Sequence, residues 1–227
     1  MTLRILLTAA VFLSLSCTLQ AQFSAGLSGG VNRTYWSWYM FNPAVKENLP
    51  PGTSWRIAIP LEYRLSPVVS LRAELTNQMF CQAVTTVMFF PSNPQGSTQK
   101  IRIQNCLNSI GGSLLLKIAP LKKLNKLYLL SGPTYAYFTH GWTRYSRGFL
   151  ESEDKPWKDA WDLDQSLVLR RHLFVDSGLG YNLTIGRRNR LLLEFRYQYG
   201  LTDVSGHPNE ISDIQSALVN FGYLYSF

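Results

Sequence analysis

Apolar residues recur at every second position over most of this chain. The clearest case is residues 53–65, in which the odd-numbered residues from Trp55 to Leu65 are all apolar. The closing residues 218–227 repeat the pattern, because their odd-numbered positions are Val219, Phe221, Tyr223, Tyr225 and Phe227. A two-residue period predicts β-strands with one apolar face.

Glycine, proline, asparagine and serine residues divide the alternating stretches into eight predicted strands. The strands cover residues 23–36, 53–65, 69–84, 99–118, 127–139, 169–185, 191–202 and 218–227. The fourth strand changes phase between Ile103 and Ile110, so a β-bulge is predicted near residues 108–112. Short connections at 66–68, 120–126 and 186–190 alternate with long ones at 33–52, 91–96, 140–167 and 203–213.

These features predict an all-β fold, an eight-stranded antiparallel up-and-down transmembrane β-barrel. Aromatic residues near the strand ends, and a polar face that carries glycine and charge, favour an apolar face turned toward lipid. The last strand, which ends on Phe227, resembles the closing strand of outer-membrane barrels. A soluble lipocalin-like ligand-binding barrel with the apolar face inside is the alternative.

The first residues are typical of a cleaved secretory signal peptide. Arg4 precedes an apolar run over residues 5–15, and Ala21 is a suitable cleavage position. The expected division is a signal peptide at 1–21 and an outer-membrane barrel domain at 22–227, located in the cell outer membrane. Acylation of Cys17, as in a lipoprotein, is the alternative.

The formal net charge of +8 does not indicate a nucleic-acid partner. The basic residues form short clusters in two predicted turns, Lys122, Lys123 and Lys126 in one and Arg187, Arg188 and Arg190 in the other. Solvated turns beside anionic lipid headgroups explain such clusters. The expected partners are outer-membrane lipid and other envelope or secretion proteins, around a monomer. No cofactor and no metal ion is expected, because metal-ligand spacing is absent.

Four segments resemble PorT-like outer-membrane barrels of the Bacteroidota. They are residues 113–117 (SLLLK), 127–135 (LYLLSGPTY), 196–203 (RYQYGLTD) and 222–227 (GYLYSF). The resemblance implies an eight-stranded barrel in the outer membrane and, for the family's namesake, a link to a protein-secretion system. Ser113 stands where these barrels usually have a proline.

Charged residues on the polar face are expected to line the lumen. They are Arg56, Glu62, Arg64, Arg72, Glu74, Asp176, Glu194 and Arg196. An eight-stranded barrel has an interior just wide enough for side chains, so these charges are expected to pair as a plug rather than to line a gated path. A three-residue turn at 66–68 would place Glu62 opposite Arg72.

Cys81 and Cys106 are the cysteines that remain after the predicted signal peptide. A turn at 91–96 places them opposite each other, and export permits a disulfide near the outer rim. Two independent small apolar residues are the alternative. The same hairpin carries Phe89 and Phe90 near its tip, as candidate loop contacts.

The third long loop combines acidic residues with Trp142, Trp157 and Trp161, which are further candidate loop contacts. The sequence predicts a non-enzymatic protein whose barrel anchors extracellular loops for binding or supports a protein-secretion assembly. The alternative is a lipid-modifying hydrolase or acyltransferase at the outer rim, with His172, Asp176 and Ser205 as the imaginable catalytic group. His140 and His207 lie in predicted loops.

Overall fold

The computed structural model describes residues 23–40, 46–89, 98–120, 126–145, 158–163, 168–205 and 210–227. They form nine β-strands: β1 (Phe23–Met40), β2 (Lys46–Arg64), β3 (Val69–Phe89), β4 (Thr98–Ile118), β5 (Leu127–Tyr145), β6 (Lys158–Trp161), β7 (Arg171–Ile185), β8 (Asn189–Gly200) and β9 (Glu210–Ser226). Within these residues no helix is long and apolar enough to cross a membrane.

Eight of the nine strands close into a ring. Each pairs antiparallel with its neighbour along the chain, β5 pairs with β7, and β1 pairs with β9 to complete the circle. The short β6 lies outside the ring and pairs only with the last residues of β5. The predicted fold class, an eight-stranded antiparallel up-and-down barrel, is therefore confirmed.

The two ends of the barrel differ. The end with the short connections, here called the turn end, holds both Phe23 and Phe227, whose backbones are hydrogen-bonded at 3.1 Å. The opposite end, here called the loop end, carries strands that are longer than predicted. The stretch predicted as a loop at 33–52 is mostly strand, because β1 continues to Met40 and β2 begins at Lys46.

The predicted bulge in the fourth strand is wrong. The pairing of β3 with β4 is unbroken from Val69 opposite Ile118 to Phe89 opposite Thr98. The irregularity lies on β5, where Thr139 is the extra residue between the partners of Asn108 and Ser109. The apparent phase change in β4 arises because Ile101 and Ile103 share the parity of Leu107, which is fully buried in the inward apolar cluster.

The outward face is apolar on every strand of the ring. Leu75 on β3 is 60% exposed and Phe221 on β9 is 63% exposed, whereas the inward neighbours Glu74, Thr76 and Asn220 are buried. The same set includes Leu27, Val31, Ile57, Ile59, Leu114, Leu129, Leu173, Leu179, Leu191, Phe195 and Tyr223. A continuous apolar exterior around a polar interior is the reverse of a soluble barrel and the arrangement that lipid requires.

The interior is layered. Near the loop end the inward residues form an apolar cluster rather than a polar path: Trp36, Phe80, Leu107, Ala136, Phe138, Phe174 and Ile214, with Leu163, Val168 and Val204 from the connecting segments. Phe80 stacks on Phe174 with ring centroids 5.4 Å apart, and meets Phe138 edge to face at 5.9 Å. The charged layer lies on the turn-end side of this cluster.

Candidate functional site

The charged lumen is built by the inward positions of four strands. Seven of the eight charges predicted to face the lumen are buried: Arg56 and Glu62 on β2, Arg72 and Glu74 on β3, Asp176 on β7, and Glu194 and Arg196 on β8. Strand alternation places them there, because every second residue of a barrel strand points inward. Arg64, the eighth, is exposed at the turn end of β2 and belongs to no ion pair among the described residues.

Glu74 is the centre of the first group of ion pairs. Its carboxylate accepts hydrogen bonds from Arg56 Nη2 at 2.9 Å and from both Nη atoms of Arg196, at 2.7 and 2.6 Å. Arg56 and Arg196 also approach Asp176, at 3.3 and 3.9 Å. Two arginines from strands on either side of the lumen therefore share two carboxylates across the barrel interior.

Glu62 is the centre of the second group. Arg72 Nη2 lies 2.8 Å from its carboxylate, in agreement with the register that pairs the two residues across the β2–β3 hairpin. Lys117 and Arg190 each contact the same carboxylate at 3.0 Å. Arg72 also binds Glu194, which joins the two groups into one network.

Lys117 and Arg190 also belong to the charged lumen, although neither is among the charges predicted to line it. The sequence pattern predicts a turn at Arg190. In the structure β8 begins at Asn189, and the Arg190 side chain points into the lumen. Lys117 alternates with Leu116 and Ile118, both exposed, so its inward position could have been inferred from the period of β4.

Further side chains fill the space between the ion pairs. Tyr128 is almost fully buried and donates a hydrogen bond to Glu194, while Gln78 donates to Gln198 at 2.9 Å. Gly180 makes room for the Tyr128 ring, because a Cβ at position 180 would lie 2.3 Å from Tyr128 Cζ. The arrangement is the filled lumen expected for eight strands.

The described contacts of His172, Asp176 and Ser205, the residues considered as a catalytic group, do not join them to one another. His172 is buried, and its Nδ1 lies 2.7 Å from Thr202 Oγ1, while its ring packs against Phe138 and Phe174. Asp176 is held by arginines rather than by histidine. The Ser205 backbone N–H donates to Asp203 at 2.9 Å. Among the described contacts no carboxylate orients the His172 ring, which is what nucleophilic catalysis by a serine requires.

Cys81 and Cys106 lie directly opposite each other on β3 and β4 and are joined by a disulfide. Both are buried, and Trp142 on β5 is the pairing partner of Cys106 on the other side. Trp142 is half-buried, and its ring stacks on His140 with centroids 5.6 Å apart.

The other candidate loop contacts are less fully described. Phe89 falls in β3 and Trp161 falls in β6, and for these two residues only the backbone is described. Phe90, Trp157 and His207 lie outside the described residues.

No protein-family model matches the chain, and no curated protein matches it. Among solved structures, the attachment invasion locus protein Ail of Yersinia pestis is 12% identical, with 90% of this chain and 99% of that chain covered and a TM-score of 0.44.

Two further solved structures give similar values. The outer membrane protein OprG of Pseudomonas aeruginosa is 12% identical over 92% of this chain and 98% of its own, with a TM-score of 0.45. The outer membrane protease OmpT of Escherichia coli is 6% identical over 92% and 97%, with a TM-score of 0.46. Since all three TM-scores lie below 0.5, the assignment as a barrel rests on this chain's own strand pairing.

Proposed function

We propose that this chain is an outer-membrane protein whose barrel crosses the lipid bilayer as an anchor. The observation that carries the proposal is the apolar exterior. Large apolar side chains stand exposed on every strand of the ring, while buried ion pairs occupy the lumen. A water-soluble protein rarely exposes so continuous an apolar surface, whereas a barrel in lipid needs one.

The proposed anchor is non-enzymatic and presents its loop end outside the cell. A diffusive pore is not part of the proposal, because an eight-stranded barrel filled by side chains offers no passage for solutes. The structure at the loop end supports a role in contacting a partner. β5 extends to Tyr145 and pairs there with β6, and the buried disulfide lies in the same region beside Trp142. In this proposal the partner contacts this region through Trp142 on β5 and Trp161 on β6, and through Trp157, which lies outside the described residues.

An epitope-insertion experiment tests the anchor and its orientation. An epitope inserted directly after Tyr145 should be bound by antibody on intact cells. The matched control is the same epitope inserted in the short connection between Ile118 and Leu127, which should be bound only after the outer membrane is permeabilised. Staining of intact cells at the control position, with none after Tyr145, would contradict the orientation.

The finer assignment, a PorT-like member of a protein-secretion assembly, is part of the same proposal and rests on the sequence resemblance. In-cell crosslinking from the loop end tests it. Replacement of Trp142 by a photo-crosslinking amino acid should yield an adduct with a second envelope protein, and replacement of lipid-facing Leu75 should not. If neither position gives a protein adduct, support for a secretion assembly is lost while the anchor stands.

A single variant distinguishes the hydrolase alternative from the non-enzymatic anchor. His172→Gln should leave any phenotype of the folded protein unchanged, because the present contacts of His172 are structural. Abolition of a phenotype in a variant that still folds, together with cleavage of a phospholipid or lipid A ester by the wild type, would favour the enzyme.

A further inference from the structure

We propose that the turn end of the lumen contains a binding site for a phosphate-type oxyanion. A cavity of about 190 Å³ opens there between β2, β3, β4, β7 and β8. Arg64, Lys117 and Arg190 line it, together with Ser70, Asn182 and one carboxylate, Glu62. The proposal rests on the lumen geometry and holds whichever partner the loop end contacts.

The charges around the cavity do not balance. Glu62 is shared by Arg72, Lys117 and Arg190, and among the described residues it is the one carboxylate that Lys117 and Arg190 contact. Three cationic side chains and one carboxylate therefore line the cavity, an excess of two positive charges. Arg64 is exposed to solvent, so the nearly buried part of this excess is one positive charge, from Lys117 and Arg190 against Glu62. A buried charge is costly unless a counter-ion compensates it, and phosphate carries about −1.5 to −2 at pH 7.

The donors at the cavity are held in place by the barrel. Lys117 Nζ lies over the Tyr128 ring at 3.9 Å and also contacts Asn182 Oδ1 at 3.4 Å. Arg190 Nη2 donates to Ser24 at 2.6 Å, which fixes the plane of the guanidinium group. Its Nε is buried and has no hydrogen-bond partner among the described residues. A fixed guanidinium with an unused donor is suited to an oxyanion, because its fork matches two oxygens of phosphate.

Access to the cavity is from the aqueous phase at the turn end. Arg64 is exposed and lines the cavity, so an anion meets this cation before it reaches Lys117 and Arg190, which are nearly buried. In the proposed orientation this phase is the periplasm. The ligand chemistry is that of inorganic phosphate, a soluble phosphomonoester or the phosphodiester of a phospholipid headgroup, which all offer at least two non-bridging oxygens to a guanidinium group.

Calorimetric titration of the full folded chain tests the site. Inorganic phosphate would be titrated into protein in a nonionic detergent at low ionic strength, with sodium chloride as the reference salt. We expect saturable binding that Arg64→Gln weakens by about tenfold, because one charge-assisted contact is lost. Arg64 is exposed, so this variant should fold even if Lys117→Gln, used as the second variant, does not.

The matched control is Arg187→Gln. Arg187 is exposed at the same end of the barrel and does not line the cavity. Equal weakening by Arg64→Gln and Arg187→Gln, or the absence of saturable phosphate binding, would overturn the proposal. If lipid headgroups are the source, the titration heat should persist in the nonionic detergent and disappear in phosphatidylglycerol vesicles, whose anionic phosphodiesters would occupy the site. Persistence in both would identify soluble phosphate.

Discussion

Glu74→Gln is the substitution that tests most sharply whether the ion pairs hold the barrel together. Glu74 is 4% exposed, and its carboxylate binds Arg56 and Arg196 at 2.6–2.9 Å. Arg72 also approaches this carboxylate, at 3.6 Å. Glutamine keeps the shape of the side chain but removes the charge, which leaves these three buried arginines with fewer anionic partners. Removal of one partner from a buried ion pair costs about 3–5 kcal/mol. We expect a loss of that size in the free energy of unfolding.

The assay is urea unfolding of the protein in detergent micelles, followed by tryptophan fluorescence. Asp159→Asn is the control, since Asp159 is exposed on β6 and its neutralisation should change the unfolding free energy by less than about 0.5 kcal/mol. The double variant Glu74→Gln with Arg56→Gln removes one charge of each sign and should lose less than the two single variants together. A loss below about 1 kcal/mol for Glu74→Gln would refute the reasoning.

Three further predictions use the same unfolding assay or its equivalent in lipid. Gly180→Ala should cost about 1–3 kcal/mol, because the new methyl group would displace the Tyr128 ring from Glu194; an unchanged midpoint would mean that the lumen is loosely packed. Leu75→Arg should cost about 2–4 kcal/mol in vesicles, and an unchanged stability would deny that this 60% exposed position faces lipid. Reduction of the disulfide, which spans a sequence separation of 25 residues, should lower stability by about 3 kcal/mol; an equal effect of the reductant on a Cys81→Ser variant would contradict its origin in the disulfide.

The barrel itself could be predicted from sequence because lipid enforces a strict two-residue period. Tyr223 and Phe221 face outward on the same strand that turns Leu218 and Leu224 inward, and the predicted parity of this strand is the observed one. The opposition of Glu62 to Arg72, and of Cys81 to Cys106, followed from turn length alone. Register is well specified where one face must be apolar.

The loop end could not be predicted in the same way. There the strands continue beyond the apolar exterior, so lipid no longer imposes alternation, and β1, β2 and β9 are longer than the pattern indicates. Apolar residues also turn inward in this region. Phe80, Leu107 and Phe138 form an interior cluster, and apolar residues with the inward parity of Leu107 produce the apparent change of phase in β4. Such a cluster depends on contacts between distant strands, which a local pattern does not record.

The measurement that tests the central claim most directly is outer-membrane fractionation combined with heat-modifiability. The full chain would be expressed, outer membranes isolated, and migration on SDS gels compared with and without boiling. An apolar exterior over a closed ring predicts recovery that depends on detergent and a band that shifts on boiling. Recovery as a water-soluble periplasmic protein with no shift would contradict the account, because the exposed apolar face would then need another explanation.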